Sequence, residues 1–128
     1  TFWHQDRRYW NFENNDLVSV WLSLGDEFLE NGLLEFIPKS HKITFEKEQF
    51  DEVDNFLDSH PKNIELLKTK VHTNLQKGDV VLFHCKTLHH ANKNITDRPK
   101  ISFVYTVRAN SNKPITNTRS DFKEVILD

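Results

Sequence analysis

The 128-residue sequence contains one cysteine, Cys85, and no methionine. A lone cysteine excludes a disulfide within the chain and favours a reducing compartment over secretion, so we expect a cytoplasmic protein. The sequence begins at Thr1 and reaches its first chemically distinctive residue at His4, before any strand has formed to support it. We therefore expect a fragment, or a chain whose N-terminal part is missing.

Long apolar runs and an excess of one charge are also lacking. No segment approaches the roughly 18 consecutive apolar residues of a transmembrane helix, and no charged and then apolar signal opens the chain. The 17 basic and 19 acidic residues are interspersed and leave a net charge of -2. This balance gives no electrostatic reason to expect a nucleic acid or an anionic membrane as a partner. We expect a soluble protein, and the composition is silent on its oligomeric state.

Aromatic and aliphatic residues, in contrast, are plentiful enough for a folded core. The chain contains ten Phe and three Trp, and its length suits a single domain over residues 1–128. Apolar or alternating segments separated by turn signals such as Asn31-Gly32 predict short strands. These strands cover residues 17–24, 33–37, 70–75, 80–84 and 101–107. Mostly short strands favour a mainly β antiparallel sandwich or barrel over βαβ units.

Two of these segments carry more specific expectations. The run over residues 80–84 is continuously apolar up to its last residue, which predicts a strand buried on both faces. Between residues 45 and 59 the apolar residues change to helical spacing among acidic ones. This pattern predicts a short amphipathic helix on the surface.

The first predicted strand has two chemically different faces. Its even-numbered positions are apolar, whereas Ser19, Trp21 and Ser23 share the opposite face. A tryptophan between two serines is typical of neither a solvent-facing surface nor a plain core, and it predicts the lining of a polar cavity. Packing in a core would explain Trp21 equally well, so both interpretations stay open.

The first ten residues contain the pattern around which the chain is organised, a His-x-Asp triplet. In an extended segment, positions two apart project to the same side, so His4 and Asp6 can converge on one point. A neutral imidazole and a carboxylate placed in this way supply two thirds of a 2-His-1-carboxylate triad, which leaves open positions on a non-haem Fe(II). His89 completes the triad if it folds back beside them.

A second pattern follows His89 at the start of the last predicted strand. Lys100 and Ser102 point the same way in that strand. A cation and a hydroxyl on one face suit the far carboxylate of a dicarboxylic acid, through one charge-assisted and one neutral hydrogen bond.

Taken together, these pieces resemble the phytanoyl-CoA dioxygenase family of Fe(II)- and 2-oxoglutarate-dependent oxygenases over nearly the whole chain. The resemblance implies a double-stranded β-helix, or cupin-like jelly roll, with a metal in the mouth between its sheets. The chain would then be the C-terminal part of that fold. The matching pieces are Trp3-His4-Gln5-Asp6, the strand with Trp21, Asn31-Gly32-Leu33 leading to Pro38-Lys39-Ser40-His41-Lys42, Gly78-Asp79-Val80, and His89 with Asn94 five residues on.

The resemblance also implies roles for individual residues. His4, Asp6 and His89 would bind the iron, and Trp21, Lys100 and Ser102 would contact 2-oxoglutarate. Lys100 stands where the family usually has Arg, and it would hold the carboxylate as a point charge and not as a bidentate fork. Arg98 has the same strand parity and is the alternative; the adjacency to Ser102 favours Lys100. His90, where the family often has Gly, makes the distal ligand ambiguous, and the spacing to Asn94 favours His89.

Three functional hypotheses follow. The first is a dioxygenase that uses Fe(II), 2-oxoglutarate and O2 to hydroxylate a small organic or acyl substrate, with release of succinate and CO2. Because Asp6 is present and not replaced by a small residue, hydroxylation is favoured over the halogenation of some relatives. The second is a catalytically silent β-helix that binds a metal or a ligand. The third is a structural β-sandwich with incidental histidines.

Overall fold

Strands dominate the computed structural model, which describes residues 1–127. The strands are β1 (Leu17–Ser23), β2 (Leu34–Phe36), β3 (Val71–His72), β4 (Val80–His84), β5 (His89–Ala91) and β6 (Ser102–Arg108). Within residues 1–127, the single α-helix, α1, covers Pro61–Leu67. Short 3-10 helices cover Asp6–Tyr9, Leu29–Asn31, Ser40–Lys42 and Lys47–Gln49. None of the helices in this part of the chain has the length and apolar character needed to cross a membrane.

The strands form two antiparallel three-stranded sheets. In the first sheet β1 lies between β4 and β6, and in the second β2 lies between β3 and β5. Four of the predicted strands agree with the observed ones to within a residue at each end, whereas the segment predicted over 70–75 forms only the two-residue strand β3. The strand β5 was not predicted. The prediction of a mainly β, antiparallel protein is confirmed.

The hydrophobic core lies between the two sheets. Phe36 of β2 and Phe83 of β4 contact each other with ring centroids 5.1 Å apart, and Leu34 completes this cluster. A second cluster consists of Ile37, Phe56 and Leu88, which lie outside the strands. Each sheet therefore contributes apolar side chains to the interior, as expected when two antiparallel sheets pack face to face.

The prediction of an amphipathic helix over residues 45–59 is wrong. Phe50 and Phe56 instead pair across a short antiparallel bridge, and Val53 is 68% exposed. The Asp51 carboxylate accepts hydrogen bonds from the backbone N–H groups of Val53 and Asn55 at 3.0 and 2.8 Å. Side chains of this type compete with helix formation by satisfying nearby backbone donors locally.

The surface helix of the chain begins further on, at Pro61, which occupies its first turn. Proline suits this position because its fixed φ is helical and a first-turn residue needs no N–H donor. Asn63, fully buried in the same helix, donates to the carbonyl oxygens of Gln49 and Leu57 at 2.9 and 2.7 Å. These bonds attach α1 to the segment that had been predicted as helical.

The expectation that residues 80–84 form a fully buried strand is also wrong. β4 is an edge strand, and Val80 and Leu82 are 52% and 66% exposed while Phe83 is buried. Successive side chains of a strand face opposite sides, and only the side facing β2 is covered within residues 1–127. The apolar run thus reflects one buried face and one exposed face.

Candidate active site

The N-terminal segment meets strand β5 at a backbone bridge between His4 and His89. The N–H of His4 donates to the carbonyl of His89 at 3.0 Å, and the N–H of His89 donates to the carbonyl of His4 at 3.1 Å. The N–H of Phe56 donates to the carbonyl of Trp3 at 2.7 Å from the other side. The N-terminal segment is therefore held between β5 and the loop at Asn55.

This bridge brings His4, Asp6 and His89 into one cluster, called the triad below. One ligand atom from each residue lies within 4.8 Å of the other two, and all three residues are buried. Asp6 Oδ1 is 3.5 Å from Nε2 of His4 and 3.5 Å from Nε2 of His89. The sequence predicted that Asp6 would reach this position from an extended segment. Instead, Asp6 begins the 3-10 helix Asp6–Tyr9.

Backbone hydrogen bonds set the protonation of both imidazoles. His4 Nδ1 lies 2.8 Å from the carbonyl oxygen of Phe2, and His89 Nδ1 lies 3.0 Å from that of Thr87. A carbonyl oxygen can only accept, so each Nδ1 carries a proton, and in the neutral form of each ring Nε2 keeps a lone pair. The two free lone pairs point toward the same Asp6 oxygen, as in sites where outer hydrogen bonds orient metal-binding histidines.

The electrostatics of the triad favour ligand-competent forms. Burial lowers the pKa of His89 to about 4, so its imidazole is neutral near pH 7. Burial raises the pKa of Asp6, but the neighbouring imidazoles of His4 and His89 and the hydroxyl of Ser19 together leave that pKa below its ordinary value. Ser19 donates to Asp6 Oδ2 at 2.6 Å, which leaves Oδ1 directed at the imidazoles.

The donor set fits a divalent transition metal. Two neutral imidazoles and one carboxylate on one side of a site are the arrangement of non-haem Fe(II) oxygenases. Adjacent ligand positions about 2.1 Å from a metal lie about 3 Å apart, so the observed separation of 3.5 Å requires little adjustment. Phe36 and Phe83 flank the His89 ring at 5.8 and 4.7 Å between centroids, which excludes water from that side.

The neighbouring His90 is directed away from the triad. Its Nε2 lies 2.6 Å from the buried carboxylate of Glu35, and its ring lies 4.2 Å from that of Trp3. Lys70 donates to the same carboxylate at 2.8 Å. Of the two adjacent histidines, the structure therefore places His89 with His4 and Asp6.

A second buried carboxylate, Glu27, lies at the residues predicted to bind 2-oxoglutarate. Its Oε1 accepts hydrogen bonds from Trp21 Nε1 at 2.9 Å, Ser23 Oγ at 3.0 Å and Ser102 Oγ at 2.7 Å. Its Oε2 accepts from Lys100 Nζ at 3.3 Å. These five residues are called the Glu27 cluster below.

Charge and hydrogen bonding keep Glu27 ionised. Burial raises its pKa, but the hydrogen bonds from Ser102 and Trp21, the charge of Lys100 and the hydroxyl of Ser23 leave that pKa below its ordinary value. Lys100 is tied into the cluster twice more, because its Nζ donates to the carbonyl of Gly32 at 2.5 Å and lies 5.0 Å from the centre of the Trp21 ring.

Sequence reasoning missed Glu27, and it placed Arg98 only as an alternative to Lys100. Glu27 stands in an acidic loop after β1, and nothing in its spacing distinguishes it from the exposed Asp26 beside it. Arg98 is exposed, and its backbone carbonyl accepts a hydrogen bond from Asn94. Lys100, not Arg98, is the basic residue that joins Trp21 and Ser102.

A model of the phytanoyl-CoA dioxygenase (PhyH) family matches residues 1–102. The chain belongs to the phytanoyl-CoA dioxygenase family. The family that the motifs resemble is thereby confirmed. The matched region contains the triad and every residue of the Glu27 cluster.

Curated relatives carry the same family name. The chain is 32% identical over 94 residues to phytanoyl-CoA dioxygenase 1 of Oryza sativa subsp. japonica, covering 73% of this chain and 33% of the relative. It is 30% identical over 97 residues to the peroxisomal phytanoyl-CoA dioxygenase of Homo sapiens, covering 73% of this chain and 29% of the relative. The chain thus spans about a third of the length of these curated relatives.

Solved structures confirm the double-stranded β-helix predicted from the resemblance. The epimerase SnoN in complex with Fe3+, alpha ketoglutarate and nogalamycin RO is 28% identical, with a TM-score of 0.71 over 83% of this chain and 41% of SnoN. EctD from S. alaskensis with bound Fe is 25% identical, with a TM-score of 0.67 over 90% of this chain and 41% of EctD. These solved structures contain iron, and SnoN also contains alpha ketoglutarate (2-oxoglutarate). Both cofactors are the ones predicted from the sequence.

Proposed function

We propose that this chain carries the catalytic centre of an Fe(II)- and 2-oxoglutarate-dependent dioxygenase, with His4, Asp6 and His89 as the metal ligands. The observation that supports this most strongly is the convergence of three ligand atoms within 4.8 Å, with both imidazole tautomers set for metal binding. We further propose that the chain, which spans about a third of the length of these curated relatives, forms the C-terminal part of the β-helix.

Each residue of the triad has a definite task. His4 and His89 present Nε2 lone pairs, and Asp6 supplies the negative charge that compensates a divalent cation. Ser19 holds the second carboxylate oxygen, and the phenylalanine rings beside His89 keep water from one side of the site. Bound iron, 2-oxoglutarate and O2 supply the oxidising chemistry, whose products in this reaction class are succinate, CO2 and an oxidised substrate.

We propose hydroxylation of a small organic or acyl substrate as the reaction. A carboxylate is one of the three triad residues, and a metal held by only three side chains would have coordination positions left for the reactants. The family name and the small-molecule complex of SnoN support a substrate of this kind.

Succinate release tests the proposal without knowledge of the substrate. Incubation with Fe(II), ascorbate and 2-oxoglutarate should release succinate through uncoupled turnover, and His4→Ala should abolish it. His72→Ala, which removes an exposed histidine of β3, is the matched control and should leave release unchanged. Release that is equal in wild type and His4→Ala would contradict the assignment of the triad.

One observation favours the second function, a β-helix that binds metal without turnover. The donors expected to hold 2-oxoglutarate already hold Glu27, so they do not fit the far carboxylate of the co-substrate as they stand. In that case metal binding should be lost in His4→Ala while neither protein releases succinate. Measurement of bound iron alongside succinate separates the two functions.

A further inference from the structure

We propose that Glu27 is a specificity-determining residue that competes with the far carboxylate of 2-oxoglutarate for Lys100, Ser102 and Trp21. The protein would then gain little from the second carboxylate of its co-substrate and would bind a monocarboxylic 2-oxo acid nearly as well. This inference rests on the proposed function, and it names the class of 2-oxo acid that the site accepts.

The first argument is that the Glu27 carboxylate uses all the donors of its cluster. A carboxylate has about four lone-pair sites, and four side-chain donors lie within hydrogen-bond distance of this one: Trp21, Ser23, Lys100 and Ser102. The single hydrogen of the Ser23 hydroxyl is shared between Glu27 and the carbonyl of Gly25. The indole N–H has a single hydrogen to donate, and so does each hydroxyl. A second carboxylate placed here therefore finds no indole or hydroxyl proton that is not already donated.

The second argument concerns charge. The Glu27 side chain is fully buried and the Lys100 side chain is 13% exposed, so the two charges compensate each other in a poorly solvated place. An incoming carboxylate would meet a neutral ion pair and not a free cation. It would also add a like charge beside a buried one, which is unfavourable unless the first is removed or protonated.

The third argument is that the backbone of Glu27 cannot withdraw easily. Its N–H donates to the carbonyl of Leu75 at 2.8 Å, and its carbonyl accepts from the N–H of Leu75 at 3.0 Å. The preceding residue is held as well, because Asp26 Oδ1 accepts from the N–H of Lys77 at 3.0 Å. Release of the four donors therefore requires the Glu27 side chain to leave its site while its backbone stays in place.

Binding of two 2-oxo acids to the metal-loaded protein tests this inference. Mn(II) replaces Fe(II), and calorimetry measures Kd for 2-oxoglutarate and for 2-oxopentanoate, which has the same carbon chain without the far carboxylate. The wild type should bind both with similar Kd. Glu27→Ala should favour 2-oxoglutarate by about tenfold or more, the factor that one charge-assisted hydrogen bond contributes. Glu27→Gln, which keeps the shape and removes the charge, should give a smaller shift in the same direction.

The matched control is Glu35→Gln, which neutralises another buried carboxylate with a lysine partner, away from the Glu27 cluster. It should leave the ratio of the two Kd values unchanged. Thermal unfolding of each variant shows whether it is folded, and Glu27→Gln keeps the test decisive if Glu27→Ala is not. A wild type that prefers 2-oxoglutarate about a hundredfold, with no change in either Glu27 variant, overturns the inference and leaves the proposed function standing. Failure of both acids to bind any of the proteins overturns the two together.

Discussion

The triad and the Glu27 cluster each contain a buried carboxylate, but the two carboxylates differ in the hydrogen-bond donors that surround them. Asp6 receives one hydroxyl donor and faces two imidazole nitrogens whose lone pairs have no hydrogen to share with it. Glu27 receives four donors, one of them cationic. The triad therefore offers lone pairs that suit a cation, whereas the Glu27 carboxylate is already paired with a cation of the chain, Lys100.

This difference indicates separate roles for two groups of residues that the family resemblance assigns to one reaction. The triad is arranged to bind an external ligand, whereas the donors of the Glu27 cluster already bind a carboxylate of the chain, that of Glu27. Variants that act on one group and not on the other should therefore have separable effects. The following predictions begin with the largest expected effect.

Removal of a triad imidazole should have the largest effect. His89→Ala should weaken Mn(II) or Fe(II) binding by at least about 100-fold, since loss of a direct ligand exceeds the 10–100-fold typical of an outer partner. His90→Ala is the control, because His90 bonds Glu35 and points away from the triad. Equilibrium dialysis with the metal measures both. If His90→Ala and not His89→Ala lost the metal, the choice of distal ligand would be wrong.

The backbone beside the Glu27 cluster offers the next test. Gly32, whose carbonyl accepts from Lys100, has φ +91, and a Cβ built there lies 2.5 Å from the carbonyl oxygen of Asn92. Gly32→Ala should lower the free energy of unfolding by about 2–3 kcal/mol, through backbone strain and overpacking. Gly78 has φ +96 with open space around it, so Gly78→Ala isolates the strain and should cost about 1 kcal/mol. Equal losses in urea unfolding would show that the close contact with Asn92 is not important.

The strand that faces both groups could be predicted from local pattern, because alternation in a strand is a property of the sequence itself. Ser19, Trp21 and Ser23 share a face in the sequence, and in the structure Ser19 contacts Asp6 while the other two contact Glu27. This face is therefore polar, and Trp21 also packs against the core cluster of Leu34, Phe36 and Phe83. Which of the three β1 side chains contacts Asp6 and which contact Glu27 depends on how the loops that carry these carboxylates pack against β1.

Features that depend on contacts between segments distant in the sequence were not predicted, because local residue patterns do not determine such contacts. Glu27 reaches its cluster because Leu75 pairs with it from a distant segment. The helical spacing around Phe50 was overridden by Asp51, whose carboxylate satisfies backbone donors that a helix would need. Whether an apolar strand such as β4 is covered on both faces depends on what packs over it, which residue spacing alone does not determine.

Two serines on the same face of β1 provide a finer test of the comparison. Ser19→Ala removes the donor to Asp6 Oδ2 and should weaken metal binding by about tenfold, the lower range for partners of a metal ligand. Ser23 lies four residues after Ser19 in the same strand. Ser23→Ala removes a donor to Glu27 and should leave metal affinity unchanged. Dialysis with Mn(II) measures both variants. Equal weakening would mean that the two groups of residues are coupled and do not act separately.

The smallest effect expected is the pH dependence of stability contributed by Glu27. Its pKa in the folded protein is below its ordinary value, because the hydrogen bonds from its cluster and the charge of Lys100 outweigh the opposing effect of burial. A carboxyl with a lowered folded pKa stabilises the fold above its unfolded pKa, and this stabilisation is lost as pH falls through the folded value. Urea unfolding should therefore show the wild type more stable than Glu27→Gln near pH 7, with a difference that shrinks below about pH 4.5. Glu48→Gln, which removes an exposed carboxylate, controls for surface charge. A difference that stays constant on acidification would mean that the cluster holds Glu27 through shape and not through its charge, and its donors would then be open to the carboxylate of a co-substrate.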